Sequence, residues 1–265
     1  MSDASVTLVD RGRVRADMAY VVDGYSMGSA AEPNPDHEMI DFVVWCAVVE
    51  AGGRTYLFDT GPPSDAADYW PDPLYAAFEA YDAADHSLEA DLDAHGYALD
   101  DIDAVVMSHL HLDHAGELDA FEGTDTPVYA HAEELEYAFR SAKTDEGSIA
   151  YLASDFDGQY NWQLVHEETH TLAPGFELLY LPGHTPGLLG ARADTDDGTV
   201  LVAGDEAYVE SNYEEGVSLG PGLMWSEPAW RRSRRRLKEL ERRTDADVVF
   251  GHDLDDFQSG PTSWG

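Results

Sequence analysis

Apolar residues in this chain gather in short runs separated by turn-forming residues. Phe42–Val49, Thr55–Phe58, Ala104–Met107, Val128–Ala130, Phe176–Leu181, Leu189–Ala193, Val200–Ala203 and Val248–Phe250 are rich in β-branched and aromatic residues. Most are bounded by Gly, Pro or Asp, which predicts strands. Helices are predicted over Asp72–Asp82, over Ser87–His95 with Gly96 as the stop, and over Ala132–Ala142. A further helix starts where Ser226, Glu227 and Pro228 supply an N-cap, an early acidic residue and a helix-start proline. Trp230, Leu237 and Leu240 then recur at roughly helical spacing. Strands mixed with helices throughout imply an α/β or α+β architecture of layered sheets and helices. No Pro/Gly/Ser-rich linker, repeat or low-complexity block divides residues 1–265, so a single domain is expected.

Composition adds an unusual surface to that picture. Hydrophobic residues make up 43% and aromatics 11%, too much for a disordered acidic tail, and 265 residues suffice for a sizeable core. Yet 53 acidic residues face 15 basic ones, giving a net charge of −38. Only two of the basic residues are lysines, Lys143 and Lys238. Such a solvated acidic shell repels itself at ordinary salt, whereas in molar salt the screening length falls to about 3 Å. The composition resembles that of proteins from salt-loving archaea and predicts a halophilic chain. Nucleic acid and anionic membranes are poor partners for it, because binding phosphates takes clustered cations. The lone Cys46 excludes an intramolecular disulfide and fits a reducing compartment. Met1-Ser2-Asp3-Ala4-Ser5-Val6 has no basic stretch leading into an apolar run, and nowhere do eighteen apolar residues run together. No signal peptide, no membrane span and a cytoplasmic location are therefore expected.

Eight of the 15 basic residues lie between Arg231 and Arg243. This amphipathic, basic helix pairs either with the chain's own surplus carboxylates or with an anionic ligand or partner.

The chemistry concentrates in Ser108-His109-Leu110-His111-Leu112-Asp113-His114, where a predicted strand runs straight into a His-x-His-x-Asp-His cluster. Imidazole with carboxylate is the ligand chemistry of zinc, iron or manganese rather than of calcium or magnesium. Three more strands end in glycine and a candidate ligand: Gly183-His184, Gly204-Asp205 and Gly251-His252. Glycine lets the backbone turn sharply and approach an ion. His109, His111, Asp113, His114, His184, Asp205 and His252 make seven ligands, a number suited to two metals. His37, His86, His95, His131, His166 and His170 lack this context and read as surface or structural residues.

The order His-x-His-x-Asp-His, Gly-His-Thr-Pro-Gly, an isolated Asp and a late Gly-His resembles the metallo-β-lactamase superfamily. Leu57-Phe58-Asp59-Thr60-Gly61 is similar to that superfamily's early Asp-Thr-Gly turn, so the likeness spans nearly the whole chain. It implies an αββα sandwich with two divalent metals at the strand edges. One would be held by His109, His111 and His184, the other by Asp113, His114 and His252, with Asp205 bridging both. Asp59 would orient a ligand histidine or simply form the turn. Zinc is the default ion; iron, manganese or cobalt could fill the same ligands.

Departures narrow the reading. The main zinc β-lactamases carry Cys where this chain has Asp205, and Cys46 lies in an early strand. Glyoxalase II-like thioesterases add a basic helical region after the last histidine, whereas the thirteen residues after His252 (265 − 252) hold no Lys or Arg. RNase Z-like nucleases need a cationic surface. Gly204-Asp205-Glu206-Ala207-Tyr208 instead resembles the quorum-quenching N-acyl homoserine lactonases, and implies a lactonase in which a metal-bound hydroxide attacks the ring carbonyl. Tyr208 would then stabilise the oxyanion and Asp113 relay the proton, with a homodimer as a family expectation. A broader ester or thioester hydrolase, or a metal-binding homologue without turnover, are the alternatives. Two aromatic stretches, one of Tyr69, Trp70, Tyr75, Phe78 and Tyr81, the other of Phe139, Tyr151, Phe156, Tyr160 and Trp162, are candidates either for an acyl-chain pocket or for core packing.

Overall fold

A computed structural model describes residues 4–265, so the reading of Met1–Asp3 lies outside the described residues. Among the described residues thirteen strands follow in chain order: β1 (Ser5–Asp17), β2 (Met39–Ala51), β3 (Arg54–Phe58), β4 (Phe78–Glu79), β5 (Ala104–Val106), β6 (Pro127–His131), β7 (Asn161–Val165), β8 (Thr169–Ala173), β9 (Phe176–Tyr180), β10 (Leu189–Thr195), β11 (Gly198–Gly204), β12 (Asp247–Phe250) and β13 (Ser263–Trp264). They form two sheets. One has the order β13-β1-β2-β3-β5-β6-β7 with β4 paired to β1, and the other runs β12-β11-β10-β9-β8.

The continuous apolar run of β2 is explained by layers on both of its faces. Val43, Trp45, Ala47 and Val49 point between the sheets, where they meet Phe176, Leu178, Leu189, Ala191, Val200 and Val202. Cys46 and Val48 point the other way, to a layer that includes Leu88, Leu92 and Ala138. Those side chains come from the helices Leu88–Ala94 and Ala132–Lys143. On the far side, Leu179, Leu201 and Ala203 pack on Leu237 of the helix Glu227–Thr244. The result is helix, sheet, sheet, helix, the expected αββα sandwich. No helix among the described residues is long and apolar enough to cross a membrane.

The structure corrects several boundaries. β1 lies where no strand is predicted, because Asp10, Arg11, Arg13 and Arg15 interrupt its apolar pattern. Arg11 is nevertheless fully buried, its guanidinium paired with Asp91 and Glu117 and donating to the carbonyls of Thr60 and Pro62. β7 and β8 are likewise absent from the apolar pattern; both are edge strands that bury only one residue each. The helix predicted over Asp72–Asp82 stops at Ala77, because Phe78 and Glu79 pair with Ala16 and Arg15 of β1. The basic helix runs Glu227–Thr244, capped by Ser226. Arg231, Lys238, Arg236 and Arg242 form ion pairs with Glu227, Glu214, Glu168 and Glu239, the self-pairing arrangement.

Candidate metal centre and pocket

The structure brings all seven predicted residues together where strands of both sheets end. His109, His111, Asp113 and His114 follow β5, His184 follows β9, Asp205 opens the turn after β11, and His252 follows β12. His111 Nδ1 lies 3.1 Å from His109 Nε2 and 2.9 Å from His184 Nε2, so three imidazole nitrogens converge on one small volume. Asp205 faces both halves of the cluster. Its Oδ2 is 3.7 Å from His109 Nε2 and 3.4 Å from His184 Nε2. Its Oδ1 is 3.5 Å from His114 Nε2 and 3.3 Å from His252 Nε2. Asp113, partly buried, has Oδ2 3.8 Å from His114 Nε2 and groups with His114 and His252.

The far sides of the rings are held by other groups. His184 Nδ1 donates to the Leu223 carbonyl at 2.6 Å and His252 Nδ1 to that of Val43 at 2.8 Å. That orients each ring and turns its Nε2 toward Asp205. Asp59 accepts from His114 Nδ1 at 2.9 Å and from the Ser108 backbone and hydroxyl at 2.7 and 2.6 Å. The Ser108 hydroxyl in turn touches His109 Nδ1 at 3.0 Å. Asp59 therefore braces two rings at once, and it does so in the left-handed region at φ 62°, a conformation costly for a non-glycine residue.

The electrostatics fit cations. Burial drives the pKa of His109 and His111 well below the usual histidine value and lowers that of His184, leaving neutral rings as metal coordination requires. At His114 and His252 burial pulls the same way but Asp205 outweighs it, so both are raised. A carboxylate that draws a proton onto these rings draws a divalent ion for the same reason. The two Asp205 oxygens and the Nε2 atoms of His114 and His252 are buried with no hydrogen-bond partner among the described residues. Such orphaned acceptors are rare in native interiors, and the donor set suits zinc, iron, manganese or cobalt.

His111, Asp113, His184 and Tyr208 line a cavity of about 440 Å³. Tyr208 is buried, its ring 4.4 Å from that of His252 and 5.7 Å from that of His184. Burial, with the nearby Asp205 and Asp113 carboxylates, raises its pKa well above the usual tyrosine value, so the hydroxyl stays a donor. Apolar walls come from Trp70, Leu74, Phe78, Leu112, Ile149 and Met224, and among the described residues no Lys or Arg lines the cavity.

Of the two aromatic stretches, only Trp70 and Phe78 reach the cavity. Phe139, Phe156, Tyr160 and Trp162 instead pack behind the first sheet, while Tyr151 lies against His111 with ring centres 4.5 Å apart. Tyr20, Tyr137 and Trp225 complete the walls and stand outside both stretches. The sequence holds a usable signal for one of them: Pro221-Gly222-Leu223-Met224-Trp225 places large apolar residues in a turn.

Comparison with known proteins identifies the family and the fold. A family model described as "Metallo-beta-lactamase superfamily" matches residues 39–252. An N-acyl homoserine lactonase of Bacillus thuringiensis is 30% identical over 249 residues, covering 90% of this chain and 91% of that protein. N-acyl homoserine lactonase AiiB of Agrobacterium fabrum (strain C58 / ATCC 33970) is 28% identical over 264 residues, covering 95% and 94%. A solved N-acyl homoserine lactone hydrolase with the product N-hexanoyl-L-homoserine at its catalytic metal centre superposes with a TM-score of 0.83 at 25% identity, covering 99% of this chain and 98% of that one.

Proposed function

Because the chain belongs to the metallo-beta-lactamase superfamily, we propose that it is a dinuclear metal-dependent hydrolase that opens the ring of N-acyl homoserine lactones or similar lactones. One domain spanning residues 1–265 carries the activity on this reading. The observation that supports it most is the placement of Asp205, with one oxygen toward His109 and His184 and the other toward His114 and His252, below an apolar cavity that Tyr208 enters.

Two divalent ions held by the seven residues, zinc by default, would supply Lewis acidity and bring the pKa of water toward about 7. The protein's own groups do the rest. Tyr208 donates its hydroxyl to the lactone carbonyl oxygen as that atom gains charge, a donor fixed in place before the reaction. Asp113, partly open to the cavity, carries a proton to the departing ring oxygen. Trp70, Leu74, Phe78 and Ile149 would take the acyl chain and keep bulk water away. A cavity wall without cations favours this substrate over the anionic thioesters of glutathione.

The test is hydrolysis of a panel by purified protein in about 3 M KCl, where surface repulsion is screened. A short- and a long-chain acyl homoserine lactone, an aliphatic lactone, S-lactoylglutathione and a β-lactam are compared by kcat/KM, with metals counted in the same sample. Preference for the acyl homoserine lactones with about two metals per chain is expected, as two-metal hydrolysis requires. Two metals without lactone turnover would overturn the substrate and leave the centre.

A further inference from the structure

Glu134 begins as an ordinary residue of a helix first turn, where an acidic side chain favours the helix dipole. The structure places it elsewhere: it is completely buried. Its Oε1 accepts from the Leu110 backbone N–H at 3.0 Å and from the Tyr151 hydroxyl at 2.7 Å, and its Oε2 accepts from the Gly187 N–H at 3.3 Å. Leu110 sits between His109 and His111, and Gly187 closes the turn that begins at His184. Gly187 presses so closely on this helix turn that a Cβ there would meet the Glu134 backbone nitrogen at 2.2 Å. Tyr151, the third donor, packs its ring on His111. A single buried carboxylate thus bonds to both loops that supply the three converging imidazoles. Buried carboxylates are retained only where donors hold them, and three donors here leave little freedom to either loop.

We propose that Glu134 is a positioning residue that ties the loop of His109 and His111 to the loop of His184, and so sets metal affinity at the three-imidazole half of the centre. The inference rests on the metal-centre reading above but needs no particular substrate. Outer groups that orient metal ligands typically set affinity by about 10–100-fold. In Glu134→Gln one of the two backbone N–H groups faces an amide NH₂ instead of an acceptor, at nearly unchanged volume.

The experiment is stepwise titration of the chelated, metal-free full chain with zinc, repeated with cobalt to read its visible absorption. The step abolished by His184→Ala marks the three-imidazole site. In Glu134→Gln that step should weaken at least about tenfold, with a changed cobalt spectrum, while the other step stays within about twofold. Tyr151→Phe, which removes one donor and keeps the ring, should move the same step less. Wild-type affinity at both steps in Glu134→Gln overturns the proposal. So does equal weakening of both steps with earlier melting of the metal-free chain, since that is a general structural effect. If Glu134→Gln fails to fold, unchanged titration of Tyr151→Phe overturns it instead. Failed lactone turnover would leave the titration result standing, whereas a wild-type chain that binds no ions removes the metal-centre reading and this inference together.

Discussion

On the proposed function, Tyr208 carries the step from a metal centre to a lactone-opening one. Its hydroxyl is kept protonated by burial and two neighbouring carboxylates, so Tyr208→Phe should cut kcat by about 10²–10³, the usual effect of removing one oxyanion donor, with metal content unchanged. Equal turnover by the variant would take Tyr208 out of the reaction. Asp59→Asn keeps the left-handed backbone tolerable but turns an amide toward His114 or Ser108. Metal affinity should then drop by about 10–100-fold, read by titration against a chelator. Ion binding should also weaken as pH falls. His114 and His252 have raised pKa values without metal, burial notwithstanding, because Asp205 favours their charged forms. Below those values a proton occupies the ligand nitrogen; above them it does not, so a chelator should strip the protein faster at acid than at alkaline pH. The seven clustered residues were legible because ligand spacing and strand-end glycines are local signals. Glu134 and Ser108 were not, because what makes them matter is contact with residues distant in the chain.

Among the elements, strands with apolar runs could be read and those with polar or charged sequences could not. β2, β9, β10 and β11 announce themselves by apolar runs, since both of their faces or a whole flank are covered. β7 and β8 are rich in polar residues and each buries only one of five, so their sequences look like loops. The cavity was legible only in part, through Trp70 and Phe78, because its walls come from separate stretches around residues 20, 70–78, 137–150 and 221–225. The two tryptophans separate the alternatives. Trp70 lines the cavity, whereas Trp162 packs beside Tyr160 with ring centres 5.5 Å apart. Trp70→Ala should shift kcat/KM between short and long acyl chains; Trp162→Ala should lower the melting temperature without altering that ratio. A ratio unmoved by Trp70→Ala would assign the acyl chain to another wall.

Over the whole molecule the chain carries a net charge of −38. Ion pairs such as Arg231–Glu227 and Arg242–Glu239 are exposed and each contributes little, about 0–1 kcal/mol, so they do not offset the repulsion. Screening does, and the protein should melt lower in about 0.1 M than in about 3 M KCl. A difference near 3 kcal/mol would appear as about 6–12 °C at this chain length. Equal melting temperatures would show that the acidic shell is not a salt adaptation.

Four of the converging residues hang from the sheet that contains β5, and His184, Asp205 and His252 hang from the other. Ions seated there would act as rivets across the seam of the sandwich, because neither half has a complete ligand set. Free ion at a thousand times its dissociation constant stabilises a folded chain by about 4 kcal/mol. Metal supply would therefore govern not only turnover but survival: a chain starved of ions would part more often along the seam and meet proteases there first.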